Sequence, residues 1–234
     1  MSEFLKAAGE NLRSRAFALA SVMADWRVAR DAASEVNLLP LLADKNQLSC
    51  DIGAGRGLFS FWMLHLGLRV AAFEANPRMI RILRHRFPRA LREGRLRILK
   101  DDVAQRRLDD LITEPVGFIR IAAAGHEPRV LQGARRLLVE HRPSILVEAE
   151  ERQRPGSVAL ARRMLDPLGY EGFFIDADGL HPIDDFDPDV HQRPDALNAA
   201  RPGRAHVNNF IFIARPHMKA RLQGWQPHRA LTGI

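Results

Sequence analysis

A single cysteine, Cys50, stands among 234 residues, which excludes any intramolecular disulfide. It lies in an apolar run, where a packed thiol fits a reducing compartment. No apolar run approaches the roughly 20 residues needed to cross a bilayer. A secretory pattern is also missing from residues 1–24, because Glu3, Lys6, Glu10, Arg13 and Arg15 interrupt the apolar positions. A cytoplasmic protein is expected. Neither internal repeats nor low-complexity tracts occur. Aromatic residues make up only 7% of the chain, which bears on its formal charge of +7. Single-stranded nucleic acid is held by aromatics interleaved with basic groups. Here Arg78, Arg81, Arg84, Arg89 and Arg92 recur with few aromatics between them, as a solvated helix face does. Nucleic acid is therefore not the expected partner.

What is present begins with a hydrophobic content of 46%, enough to bury a full core in one α/β domain with trimmings. The chain is organised around Cys50-Asp51-Ile52-Gly53-Ala54-Gly55-Arg56-Gly57, a glycine turn between an apolar run and a helix-like run. Glycine at alternate positions permits positive φ and lets a ligand approach where a Cβ would clash. The spacing serves dinucleotide and S-adenosylmethionine sites alike. Asp51, just before the turn, suits a ligand's ammonium group better than a pyrophosphate. Glu74 follows about 20 residues later, at the end of Val70-Ala71-Ala72-Phe73, where an acid can hold both ribose hydroxyls.

Around this turn the pattern alternates strand and helix, which predicts a mostly parallel sheet covered by helices on both faces. Strands are expected at 47–52, 68–73, 96–99, 116–121, 145–147, 172–175 and 210–214, giving seven. Helices are expected at 58–66, 78–87, about 108–112, 128–140 and 157–168. Residues 1–46 read as a helical cap, 47–215 as the principal domain and 216–234 as a weakly structured tail, with Trp225 as a candidate anchor. The stretch from Asp176 to Asn209, rich in Asp, Pro, His and Arg, reads as a lid or substrate loop over the strand ends.

Over roughly 47–215 the motifs resemble those of the FkbM-type methyltransferases, within the Rossmann-like S-adenosylmethionine-dependent enzymes. The resemblance rests on Asp51-Ile-Gly-Ala-Gly-Arg-Gly57, Ala72-Phe-Glu-Ala-Asn-Pro77, Arg107-Leu-Asp-Asp-Leu111 and Phe118-Ile-Arg-Ile121 with Gly125-His-Glu127. It rests further on Val130-Leu-Gln-Gly-Ala134, Arg142-Pro-Ser-Ile-Leu-Val-Glu148 and Asn208-Asn-Phe-Ile211. It implies a Rossmann-like methyltransferase fold whose last strand is antiparallel. It also implies that the cofactor's methionine part lies against Gly53, Ala54 and Gly55 in the loop that Gly57 closes, that Glu74 binds the ribose, and that Asp102 meets the adenine amino group. The reaction implied is O-methylation of a sugar, glycan or other hydroxylated metabolite.

One departure concerns catalysis. Where the family reads Ile-Lys-Ile-Asp-Val-Glu-Gly, this chain has Ile119-Arg-Ile-Ala-Ala-Ala-Gly125, so the acids are absent at Ala122 and Ala124. An acid at the first position would form a pair with Glu148, suited to a divalent metal or to deprotonating a hydroxyl; without it Glu148 would act alone. Three readings follow: an alanine variant made to abolish activity, a natural relative without catalysis, or an enzyme that uses His126, Glu127, Glu148 or the long loop. The alternatives in function are a cofactor-binding protein without catalysis and a nicotinamide-dependent oxidoreductase on a similar fold. His126 and Glu127 open a helix, where capping competes with catalysis. The His and Asp residues between His181 and His191 lack metal-ligand spacing and read as a solvated loop. Trp26, Trp62 and Trp225 read as packing residues.

Overall fold

The computed structural model describes residues 20–21, 24–25, 35–100, 106–176, 179–192 and 206–225. A helical turn, Glu35–Leu38, runs into α1 (Leu39–Leu42), followed by β1 (Leu48–Ile52), α2 (Leu58–His65) and β2 (Arg69–Phe73). Then come α3 (Pro77–Arg86), α4 (Pro88–Arg92), β3 (Leu96–Leu99), α5 (Leu108–Leu111) and β4 (Val116–Ile121). Next are α6 (Glu127–Gly133), α7 (Arg135–Glu140), β5 (Ser144–Glu148), α8 (Ser157–Leu165) and β6 (Glu171–Ile175). The described chain finishes with β7 (Leu180–Pro182), α9 (Pro188–His191), β8 (Asn209–Ile213) and α10 (Pro216–Gln223).

The strands form one sheet in the order β3-β2-β1-β4-β5-β8-β6-β7. From β3 to β5 every pair is parallel, whereas β8 runs antiparallel to β5 and β6, and β7 antiparallel to β6. The sheet thus has eight strands among the described residues instead of the seven expected. The additional one, β7, is three residues long and ends on a proline, too short to carry an alternation signal. It also shows that the segment expected as one long loop from Asp176 opens with a hairpin, Ile175 pairing with Leu180.

All five residues of β1 are buried, as strands covered on both faces require. Cys50 and Ile52 face a core shared with Ile119, Ile121, Ile145 and Val147, closed by Val130, Leu131, Leu137 and Leu165 of the helices. Burial pushes the Cys50 thiol up to about 12. The opposite core gathers Trp62 and Met63 of α2, Leu39 and Leu42 of α1, and Met218 and Leu222 of α10. Thus the tail expected to be weakly structured carries a helix from Pro216, with Trp225 packed against the same core. The helix expected over 128–140 is broken at Ala134 into α6 and α7. Asp109 explains the Leu108-Asp109-Asp110 motif: its carboxylate accepts from Arg136 N at 2.9 Å and Leu137 N at 3.1 Å and so caps α7.

Of the helical cap expected over 1–46, the part before Glu35 lies largely outside the described residues. Of those described there, Ala20, Ser21, Ala24 and Asp25 are helical. Asp25 is buried, pairs with Arg86 of α3, and accepts through its carbonyl from Trp62 Nε1 at 3.3 Å. Arg86 also donates to the Arg56 carbonyl, tying this piece of chain to the glycine turn. No helix among the described residues is long and apolar enough to cross a membrane.

Candidate functional site

At the carboxyl end of β1 the chain turns through Gly53, Gly55 and Gly57, all at positive φ (74°, 56° and 89°). The three glycines have different reasons to be there. A Cβ on Gly53 would stand 2.1 Å from the Ala122 carbonyl oxygen, so the first glycine accommodates the end of β4. A Cβ on Gly57 would meet Leu83 Cδ2 at 2.6 Å and Phe87 Cε2 at 2.8 Å, so the third lets α2 pack against α3. A Cβ on Gly55 would meet only the Gly53 carbonyl oxygen, at 4.0 Å, which leaves that side of the turn open. Gly53 N and Ala54 N both donate to the Phe73 carbonyl at 3.0 Å, anchoring the turn to β2.

Glu74 stands immediately beyond β2. Its Oε2 accepts from Gly55 N at 2.7 Å and its Oε1 from Asn76 N at 2.8 Å. Each carboxylate oxygen has room for a second hydrogen bond, so two ribose hydroxyls can be added without breaking either. The same side chain therefore shapes the turn and offers acceptors beside it. Asp102, expected at the adenine, lies outside the described residues.

A second group lies on one face of the sheet. The β1–β4 register sets Asp51 beside Arg120, and β5–β8 sets Glu148 beside Asn209. Arg120 Nη1 donates to Asp51 Oδ1 at 3.3 Å and to the Gly53 carbonyl at 3.2 Å, while Nη2 donates to Glu148 Oε2 at 2.9 Å. Its guanidinium lies 4.5 Å over the Phe59 ring. Asp51 is fully buried and accepts also from Ser60 Oγ at 2.6 Å. Each of its oxygens, on the carboxylate expected to meet a ligand's ammonium, thus already has one donor within the fold, Arg120 on Oδ1 and Ser60 on Oδ2. Glu148, expected to act alone, is paired with Arg120, although its side chain stays 37% exposed.

Glu35 enters this group from the other end of the sequence: its Oε1 accepts from Asn209 Nδ2 at 3.0 Å. Burial, the largest cause, raises its carboxyl above the ordinary range; Glu148 adds to the rise, and Asn209 and Arg120 oppose it. Nothing in the local sequence marked Glu35 as a site residue, and Arg120 was hidden in a strand pattern where an aliphatic residue would serve equally. The one available signal was parity. Asp51, Arg120 and Glu148 share a face only once the register is known.

The loop after β4 contains Ala122, Ala124 and Gly125. Ala124 adopts φ 46° and Gly125 φ 91°, so the chain makes a left-handed turn at both positions. Glu127, buried, accepts from Gly125 N at 2.8 Å, and Arg154 donates to the Gly125 carbonyl at 3.0 Å. Glu127 therefore holds the turn in shape. His126 is exposed, with Nδ1 3.1 Å from the Ala123 carbonyl. Among the described residues no three or more His, Cys, Asp or Glu side chains are grouped to hold a metal ion. In the segment expected to be a lid, His181 lies 2.8 Å from Asp176 and stacks on Phe174, and His191 stacks on Phe186. These histidines are packing groups.

No family model matches the sequence, and no curated protein matches it. Solved structures do share the fold. A putative methyltransferase from Streptococcus mutans, solved in complex with SAH, is 14% identical with a TM-score of 0.53, over 77% of this chain and 96% of that one. A TehB-like SAM-dependent methyltransferase from Corynebacterium glutamicum is 15% identical with a TM-score of 0.51, over 86% of this chain and 99% of that one. Methyltransferase FkbM from Methylobacillus flagellatus is 19% identical with a TM-score of 0.53 over 71% of this chain, which spans only 43% of that larger protein. The chain thus has the Rossmann-like fold of these methyltransferases, as the sequence pattern led us to expect.

Proposed function

We propose that the chain is an S-adenosylmethionine-dependent methyltransferase that methylates a hydroxyl of a sugar, glycan or other small metabolite. One observation carries the reading: the Glu74 carboxylate at the end of β2 grips Gly55 of the glycine turn at 2.7 Å and keeps lone pairs for a ribose. The open side of Gly55 suits the cofactor's close approach. Bound there, S-adenosylmethionine supplies an electrophilic methyl group on a sulfonium.

The chain's own residues then have distinct tasks. Glu74 orients the ribose, and Gly53, Ala54 and Gly55 form the wall against the methionine part. Glu148 and exposed His126 are the groups able to take a proton from the acceptor hydroxyl, while Glu127 keeps the Gly125 turn in shape. Glu148 is the more committed of the two, because its Oε2 already accepts from Arg120. No step is assigned to a divalent metal, since Glu148 has Arg120 rather than further carboxylates as its partner.

Calorimetry with S-adenosylhomocysteine and with NAD tests the cofactor. Binding of the first alone is expected; binding of NAD alone would replace the proposal with a nicotinamide-dependent oxidoreductase. A second reading, a cofactor-binding protein without catalysis, is favoured by Ala122, Ala124 and the neutralised Glu148. A screen of hydroxylated acceptors, run on the chain and on its Ala122→Asp/Ala124→Glu variant, separates the two. Transfer by the chain itself rejects the second reading. Transfer by the variant alone identifies an inactivated enzyme. Transfer by neither, with S-adenosylhomocysteine still bound, supports the non-catalytic protein.

A further inference from the structure

Around the start of β8 there are more hydrogen-bond acceptors than donors. Asn209 Nδ2 spends both hydrogens, on Glu35 Oε1 at 3.0 Å and on Asn208 Oδ1 at 2.8 Å. Its Oδ1 is buried and has no donor. Turning the amide over would set that oxygen against the Glu35 carboxylate, so the arrangement is the better of the two. A buried acceptor without a donor is destabilising.

The charge balance points the same way. Asp51, Glu148 and Glu35 bring three carboxylates to one guanidinium, and Arg120 is already divided between Asp51 and Glu148. Glu35 feels the charge of Glu148, and burial further disfavours its anion. Nor can Glu35 swing out to solvent freely, because the turn it opens is pinned by buried Val36, Leu38 and Leu39. What is missing is a small cation with several N–H donors and no acceptor. A primary ammonium has three.

We infer that Glu35 and Asn209, beside Glu148, form the subsite for the ammonium of the cofactor's amino-acid end. This rests on the proposed cofactor. Arg120 links the subsite to the glycine turn, since it bonds Glu148 and the Gly53 carbonyl together. Glu35 and Asn209 would hold the ammonium, whose donors would satisfy the buried Asn209 Oδ1 and whose charge would screen the two glutamates from each other.

Calorimetry on the whole chain tests this with two probes: S-adenosylhomocysteine, which has the ammonium, and 5′-methylthioadenosine, which keeps the adenosine and thioether but lacks the amino-acid end. Glu35→Gln removes the charge at nearly constant shape. It is expected to weaken S-adenosylhomocysteine by about tenfold or more, as loss of a charge-assisted hydrogen bond does. Methylthioadenosine affinity should change by less than about twofold, within the loss a neutral contact gives. Asn209→Leu should show the same selective loss. Equal weakening of both probes, or of neither, overturns the inference while leaving the cofactor reading intact. If the unaltered chain binds neither probe, the cofactor reading itself fails, and the ammonium subsite with it. Should the Glu35→Gln defect vanish in EDTA, a divalent cation is the occupant and the ammonium assignment is wrong.

Discussion

Replacing Arg120 by Met tests the internal ion cluster most directly. Methionine keeps the apolar stem against Phe59 but removes the guanidinium that joins Asp51, Glu148 and the Gly53 carbonyl. Asp51 is fully buried and would retain only Ser60 as a side-chain donor, while Arg120 itself is 11% exposed. Removing one member of a buried ion pair strands the other, at a cost of about 3–5 kcal/mol. For a chain of this size that corresponds to a fall of roughly 6–20 °C in Tm. Chemical denaturation at neutral pH measures the loss. Adding Asp51→Asn to the Met variant removes the stranded charge, so the double variant should recover about 2 kcal/mol or more. If Arg120→Met costs less than about 1 kcal/mol, or if the two substitutions simply add, the pair is not the buried, mutually dependent one described.

The glycine turn yields a contrast: Gly53→Ala combines a positive φ with a 2.1 Å approach to the Ala122 carbonyl, whereas Gly55→Ala meets only the positive φ. Gly55→Ala should cost about 1–2 kcal/mol and Gly53→Ala clearly more, by urea denaturation; equal losses would remove the packing explanation. Glu74→Gln should weaken S-adenosylhomocysteine by about tenfold in calorimetry, because charge-assisted bonds to a ribose are lost, and should also lower Tm, since the amide can accept from only one of Gly55 N and Asn76 N. The raised carboxyl of Glu35 carries a sign: protonation is favoured in the folded state, so its contribution to stability is present below the ordinary carboxylate range and is lost as pH rises through the raised value. The cofactor-free Glu35→Gln variant should therefore gain Tm relative to the unaltered chain on going from acidic to mildly alkaline pH, and a constant difference would contradict the burial account. Buried Cys50, its thiol pushed up to about 12, should react with a thiol reagent only as fast as the sheet opens. Rapid labelling under native conditions would show that the core is not closed there.

Patterns that depend on neighbours in the chain were legible in the sequence. Alternating apolar runs gave the strand and helix order, because buried parallel strands need near-continuous apolar residues and crossover helices an apolar stripe. The turn from Gly53 to Gly57 and the acid at position 74 could be read for the same reason, since their spacing is set along the backbone. Three-residue β7 was not legible, nor was the end of α6 at Ala134. The first is too short for any period to register, and the second is a break in a continuous helical pattern. The individual tasks of the three glycines were also out of reach, since each depends on what approaches it, the Ala122 carbonyl or Leu83 and Phe87.

By itself the sequence determined an α/β chain with a glycine turn, an acid one strand later, and a loop after the fourth strand bearing alanines where acids were expected. The tertiary structure decided which charges meet. Strand register brings Arg120 beside Asp51, commits both, and ties Glu148 to the same guanidinium. Chain closure brings Glu35 to Asn209, 174 positions away. Hydrogen bonds and ion pairs act over a few ångströms of space whatever the separation along the chain, so these partners became visible only when the sheet was assembled.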